Sequence, residues 1–314
     1  PIYAFDESKP LRVVSHAHAD HMVGLSQSLK SCRKVLMSKA TKDLVDVMRG
    51  PSFLMRGSVE TLEYGKPFQC GEERITFFPC DHILGAVQVL VEDAEETRIG
   101  YTGDFRLEGT TVLDADVLVM EATYGSPACK RGFAADVKDL LVSLVEKNLK
   151  RGPVYVFGYY GKMQEVMALL REAGVKVPFI MPQNVFKVSK VCEQHGMHVG
   201  QLMLSEEAEA KELLSGNSSC VAFYHMCSKD KVSSDVLRVS VSGWEFGAPC
   251  REIGEKEYVV ALSDHADFDG LIEYVRRSKP KIVITDNARS AHAETLATEI
   301  RRRFAISAYA LPRN

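Results

Sequence analysis

The chain has 314 residues, 46% hydrophobic and 26% charged, with a net charge of −3. That length favours two substructures, or one large domain with an insertion, and the composition excludes disordered and fibrous classes. No apolar run approaches the roughly 20 residues that span a bilayer, and the start "PIYAFDESKP" has no basic stretch followed by an apolar one, so neither export nor a membrane anchor is expected.

Eight cysteines without a CxxC pair predict reduced, mostly buried thiols and a cytoplasmic setting. The small negative charge gives no global attraction to a polyanion, so nucleic-acid binding would need a local basic patch.

In chain order, "LRVVS" (11–15) is a β-branched run that predicts a strand, and a histidine-rich stretch leads from it toward a helix, "HMVGLSQSL". "SKATKDLVDVMRGP" places Leu44, Val45 and Met48 on one helical face, with Gly50 and Pro51 as a stop. "RITFFP" (74–79), "AVQVLVE" (86–92), "TRIGYTG" (97–103) and "DVLVME" (116–121) read as further strands.

From about residue 127 the rhythm changes. "FAADVKDLLVSLVEKNLKRGP" sets Val137, Leu140, Leu141, Leu144 and Val145 at helical spacing, ended by Gly152 and Pro153. The strand "VYVF", the helix "KMQEVMALLREAG", a strand near "PFIMP" and a helix over 184–195 follow, the pattern of a separate α/β unit with a parallel sheet. The last 58 or so residues return to strand, helix, strand, helix, and no fixed-period repeat is present.

The chemistry is densest in "SHAHADH". His16 and His18, two apart at a strand end, point to the same side, and Asp20 and His21 follow where the chain turns. Imidazole and carboxylate are preferred ligands of zinc and similar ions, and four within six residues exceed what one tetrahedral ion with an open site can use. Two ions side by side are therefore expected. More ligands are needed, and His82 in "PCDHILGA" and Asp104 in "YTGDF" both follow apolar runs. A carboxylate such as Asp104 can bridge two cations about 3.5–4 Å apart.

"HAHADH" is the His-x-His-x-Asp-His motif, and on it the chain resembles the metallo-β-lactamase superfamily. "VMEATYG" and "ALSDHADF", with about 120 residues between them, narrow the resemblance to the β-CASP nucleases. "YYGKMQE" is similar to a segment of the messenger-RNA 3′-end processing and DNA-ligase-associated exonucleases of that family. The resemblance implies an α/β fold, a four-layer αββα sandwich formed by 1–126 and 250–314, with an α/β β-CASP cap over 127–249. It also implies roles for individual residues. Asp6 would orient the histidine loop from behind. His16, His18, His82 and Asp104 would hold a first divalent ion, and Asp20, His21, Asp104 and Asp286 a second, with zinc or manganese as the metal. Asp20, Glu121 and His265 would take part in catalysis, His265 as general acid with Glu121 fixing its ring.

One motif departs from the family. After the strand "KIVIT" the family places a histidine; here Asp286 stands in that slot and His292 lies six residues on, so Asp286, His292 or neither completes the second site.

The implied reaction is hydrolysis of single-stranded RNA or DNA, RNA favoured. Lys162, Lys187, Lys190, Lys229 and Lys231, with Tyr159, Tyr160 and Phe223, are candidate contacts to the strand. Trp244 reads as a packing anchor, and "SDHADF" also reads as a helix start capped by Ser263 or Asp264. Two other functions remain compatible with the sequence, a silent scaffold subunit of a processing complex and a small-molecule metallohydrolase. Nothing in the periodicity marks an interface, so a homo-oligomer stays open.

Overall fold

The structure, a computed structural model, describes residues 6–216 and 218–312. It divides into two compact units, Pro1–Lys130 with Asp264–Asn314, and Arg131–Ser263.

The first unit is an αββα sandwich. Its smaller sheet joins Leu11–Val13, Lys34–Met37 and Val59–Thr61, all parallel. The larger has seven strands in the order Ser307–Leu311, Ile282–Asp286, Val117–Met120, Arg98–Tyr101, Val87–Glu92, Glu73–Pro79, Phe68–Cys70. The first four of these are parallel and the rest an antiparallel meander.

The layering follows from side-chain alternation along the strands. Val13 and Leu36 of the small sheet pack with Ile75, Phe77, Val87, Val89 and Tyr101 of the large one, and Val119 joins them. Its neighbours Leu118 and Met120 point the other way, into a second core with Phe268, Leu271, Val275, Leu296 and Ile300 of the helices Phe268–Ser278 and Ala293–Phe304. The helices Leu25–Ser31 and Lys39–Arg49 accompany the small sheet and bury Leu25, Leu29, Leu44 and Val45.

The stretch expected to run from the histidine cluster straight into a helix is interrupted. Ala19–Met22 forms a tight 3₁₀ turn, and Gly24 at φ 69° separates it from the helix Leu25–Ser31. The 3₁₀ turn brings His21 back beneath the loop, with its backbone N–H donating to the His18 carbonyl at 3.1 Å.

The second unit is a doubly wound sheet in the order Leu202–Leu204, Phe179–Met181, Val221–His225, Val154–Gly158, Leu237–Val241, Glu257–Val260, Cys250–Gly254. All pairs are parallel except the Cys250–Gly254 edge, and Val137–Leu149, Lys162–Glu172, Gln183–Gln194 and Ala208–Ser215 are its helices. The sequence reading placed residues 250–263 with the sandwich. They lie instead in this unit, because Glu257–Val260 pairs in parallel register with Leu237–Val241. In the helix Val137–Leu149 the buried stripe is Val137, Leu141 and Val145, while Leu140 is 40% exposed.

Four of the eight cysteines are buried. Among the described residues, no helix is long and apolar enough to cross a membrane.

Candidate metal centre

The histidine loop is pinned between the two sheets of the sandwich. Val14 N–H donates to the Leu36 carbonyl at 2.9 Å, and Val87 N–H donates to the Ser15 carbonyl at 3.0 Å. Arg12, fully buried, donates from Nη2 to the His21 carbonyl at 2.8 Å. These bonds fix the loop's backbone, which is what ligand geometry requires.

Two glycines let the other ligands approach. Gly103, at φ +60°, precedes Asp104, and a Cβ there would stand 2.8 Å from the Val87 carbonyl oxygen. Gly85, at φ +81°, leaves no room for a Cβ beside Thr41 N at 2.6 Å. Its carbonyl accepts from Ser38 Oγ and Thr41 Oγ1, which ties the "DHILGA" loop to the start of the helix Lys39–Arg49.

Ring nitrogens of His16, His18 and His82 converge, as do those of His16 and His21 with the Asp104 carboxylate. His82 Nδ1 lies 2.8 Å from the Asp264 carbonyl oxygen. A carbonyl can only accept, so Nδ1 carries the ring proton and Nε2 keeps its lone pair, 3.1 Å from His18 Nδ1. Ser15 Oγ lies 3.2 Å from His16 Nδ1 and 3.0 Å from His21 Nδ1, so one hydroxyl orients two rings. His16 Nε2 is buried without a hydrogen-bond partner. Burial, then His21, His82 and His18, hold the His16 imidazole well below its ordinary pKa. Burial likewise pushes His82 down to about 3. Both are therefore neutral, as ligation demands. An orphaned, neutral ring nitrogen beside two others, with an Asp104 oxygen 3.7 Å from it, fits a divalent ion.

The residues expected to take a second ion do not fit one as they stand. Arg289 lies among them. Its Nη1 donates to Asp20 Oδ2 at 3.0 Å, to Asp104 Oδ2 at 3.2 Å and to His21 Nε2. Its Nη2 donates to Asp104 Oδ1 at 2.9 Å and its Nε to Asp286 Oδ2 at 2.9 Å. Asp286, proposed from sequence as a ligand, spends its other oxygen on the Ala288 N–H. His292 stands at the start of the helix Ala293–Phe304 and, with Asp286, is in none of the converging ligand groups among the described residues. Asp20 sits at the rim, its side chain 54% exposed. Burial would raise the Asp104 pKa, but His21 and Arg289 hold it well below the carboxylate range.

Glu121 and His265 meet as expected. His265 Nδ1 is 2.8 Å from Glu121 Oε2, and Glu121 Oε1 accepts the Phe105 N–H at 2.8 Å. Burial alone would depress the imidazole, yet Glu121, with Asp104 and Asp264, pushes it up to about 9. The helix after it is capped by Asp267, whose Oδ1 accepts the Gly270 N–H, and not by Ser263 or Asp264. Asp264 is buried and serves His82 through its carbonyl instead. Asp6 is bonded to Ser8, through N at 2.9 Å and Oγ at 2.7 Å.

In the second unit the candidate strand contacts separate. Phe223 is fully buried in the core and Lys162 is buried, so neither offers a surface. Lys190 pairs with Glu193 and Lys229 with Glu257. Lys187 and Lys231 are exposed, and Tyr159 is 52% exposed, with Tyr160 and Tyr159 both against the His225 ring. Trp244, read as a packing anchor, is 61% exposed.

Sequence reasoning did not single out Arg289, gave Ser15 no role of its own within "SHAHADH", and read Asp264 only as a candidate helix cap. Arg289 left one sequence signal, a cation three residues after the aspartate that replaces the family's histidine. Ser15 and Asp264 act through a hydroxyl and a backbone carbonyl, which no motif marks.

No family model matches the chain. Over 138 residues, 43% of the chain, it is 38% identical to an uncharacterized protein in the lig 3′ region of Acidianus ambivalens, covering 99% of that protein. Over 287 residues it is 27% identical to the 5′ exonuclease Apollo of Gallus gallus, covering 86% of this chain and 57% of Apollo. A protein of unknown function from Enterococcus faecalis V583 has a crystal structure that matches 96% of this chain and 79% of its own at TM-score 0.66 and 18% identity, a likeness of fold. The chain spans 26–60% of the length of the curated relatives it matches over most of its own. An αββα sandwich with this histidine loop defines the metallo-β-lactamase superfamily. Within it, relatives at 22–27% identity, among them proteins named as nucleases, are what the chain resembles, and they align it with the β-CASP nucleases.

Proposed function

We propose that the chain is a metal-dependent nuclease that hydrolyses phosphodiester bonds of single-stranded nucleic acid, RNA in preference to DNA. The observation that carries this reading is the convergence of His16, His18 and His82 beside a His265 held by Glu121. The single-stranded substrate rests on the resemblance to the β-CASP nucleases and the RNA preference on relatives named as RNases, among them RNase aCSPSF2 of Saccharolobus solfataricus; a relative named as a probable DNA ligase makes DNA the alternative.

His16, His18 and His82, with Asp104, would hold one divalent ion, zinc or manganese. Such an ion lowers the pKa of water toward neutrality and offsets charge on phosphoryl oxygens. The remaining steps belong to side chains. Asp20, ionised and exposed at the rim, can accept the proton of the attacking water. His265 stays protonated at neutral pH, with one ring N–H directed to Glu121, and can give the other proton to the leaving oxygen. Glu121, fixed by the Phe105 N–H, keeps that ring from turning.

The test is cleavage of RNA and DNA single strands, each labelled at either end, with zinc or manganese present. Wild type should cleave and Asp104→Ala should not. A metal-loaded wild type that cleaves neither strand rejects the proposal, and the labelled ends report nucleic acid and polarity together.

A further inference from the structure

We infer that Arg289 takes the place of a second metal ion, so that this chain works with one divalent ion and one fixed guanidinium. The inference rests on the metal-dependent reading above but concerns how many ions the site accepts.

A guanidinium offers five N–H donors in a planar fork and no acceptor. Arg289 uses that fork on every residue the sequence would assign to a second ion: Asp20, His21, Asp104 and Asp286. The Asp104 bonds are bidentate, one oxygen to each terminal nitrogen, the arrangement in which guanidinium and carboxylate match best. Its side chain is only 14% exposed, so these bonds lie away from bulk water.

His21 supports the assignment. Its Nε2 faces both an Asp104 oxygen at 2.9 Å, which only accepts, and Arg289 Nη1, which only donates. Arg289 Nη1 contacts both that nitrogen and that oxygen.

Charge leads to the same count. Asp20, Asp104 and Asp286 carry three negative charges; Arg289 and one divalent ion cancel them. A second divalent ion would have to displace a guanidinium bonded to three carboxylates, or sit against it and pay repulsion in a buried site. The position of Arg289 is set by the main chain. It follows Asp286, the last residue of a central parallel strand, by three residues, and Ser290 beside it donates from Oγ to the Ala122 carbonyl.

The experiment counts ions without using cleavage. Wild type and Arg289→Ala are loaded with manganese(II) or zinc(II), desalted and measured for metal per chain, and the manganese forms are examined by electron paramagnetic resonance. Wild type is expected to hold one ion per chain with an uncoupled manganese signal. Arg289→Ala, with three carboxylates and His21 released, is expected to hold two, spin-coupled through Asp104, and Arg289→Lys, which keeps the charge, to stay at one. Two ions or a coupled signal in wild type overturns the inference, as does a folded Arg289→Ala that stays at one ion. The wild-type spectrum decides the matter even if Arg289→Ala does not fold. A wild type that binds no ion overturns the metal-dependent reading itself, and this inference with it.

Discussion

The two halves of the site, a few ångströms apart and sharing the histidine loop, are opposite in character. On one side stand three imidazoles, His16 and His82 buried and neutral and His18 half-buried, with an orphaned nitrogen at His16. On the other, Asp20, Asp104 and Asp286 are carboxylates already bonded to Arg289. The first half needs a cation from solution, and the second carries one in its sequence. Hence a ligand motif alone does not count metals: "HAHADH" supplies residues to both halves, and what lies opposite decides which of them an ion can reach.

The comparison breaks most severely if the imidazole side is removed. His16→Ala is expected to lose the ion and to lower cleavage about ten thousand-fold, on the order of 5 kcal/mol of transition-state stabilisation. Metal analysis beside a single-strand cleavage assay checks it, and an unchanged ion content would show that the histidines are not the ligands. His265→Ala should retain the ion yet lose about a hundred- to ten thousand-fold in rate, as expected for a lost general acid. Glu121→Gln keeps a hydrogen-bond acceptor for the ring but removes the charge that holds its proton. A loss of about 10- to 100-fold is expected, again with the ion in place. If either variant lost its metal, His265 would belong to the ligand set instead.

The strands of the sandwich and the imidazole half were legible in the sequence because both depend on local pattern, while the αββα layering came from the family resemblance. The strands at 74–79, 86–92 and 116–121 show apolar runs of the right length, and His16 and His18 share a face by strand geometry alone. The boundary at 263 was not legible. Strand Glu257–Val260 reads the same whichever sheet it joins, and only its pairing with Leu237–Val241 assigns it to the cap. Arg289 was missed for a related reason. An arginine in a loop is most often a solvated surface residue, and nothing near it in sequence reveals that Asp20 and Asp104, 269 and 185 positions earlier, converge on it. Phe223 failed in the opposite sense, as an aromatic chosen for stacking that the parallel sheet buries completely.

The smallest expected effect is the sharpest test of the carboxylate half. In Asp286→Asn, the carbonyl oxygen can still accept the Ala288 N–H, while the amide nitrogen replaces the oxygen that accepts Arg289 Nε. One charge-assisted bond is lost, worth about 1.5–3 kcal/mol, but Asp104 and Asp20 still hold the guanidinium. Ion content should therefore not change, thermal stability should fall by several degrees, and cleavage should drop by no more than about 10-fold, the lower end of the cost of removing a residue that acts through another. A direct ligand behaves differently: exchanging its carboxylate for an amide weakens the ion itself, so metal would be lost on desalting and restored by excess manganese. Comparing cleavage and metal content across a manganese titration separates the two. A rate that recovers with manganese would return Asp286 to the ligand set and place a second ion where Arg289 is found.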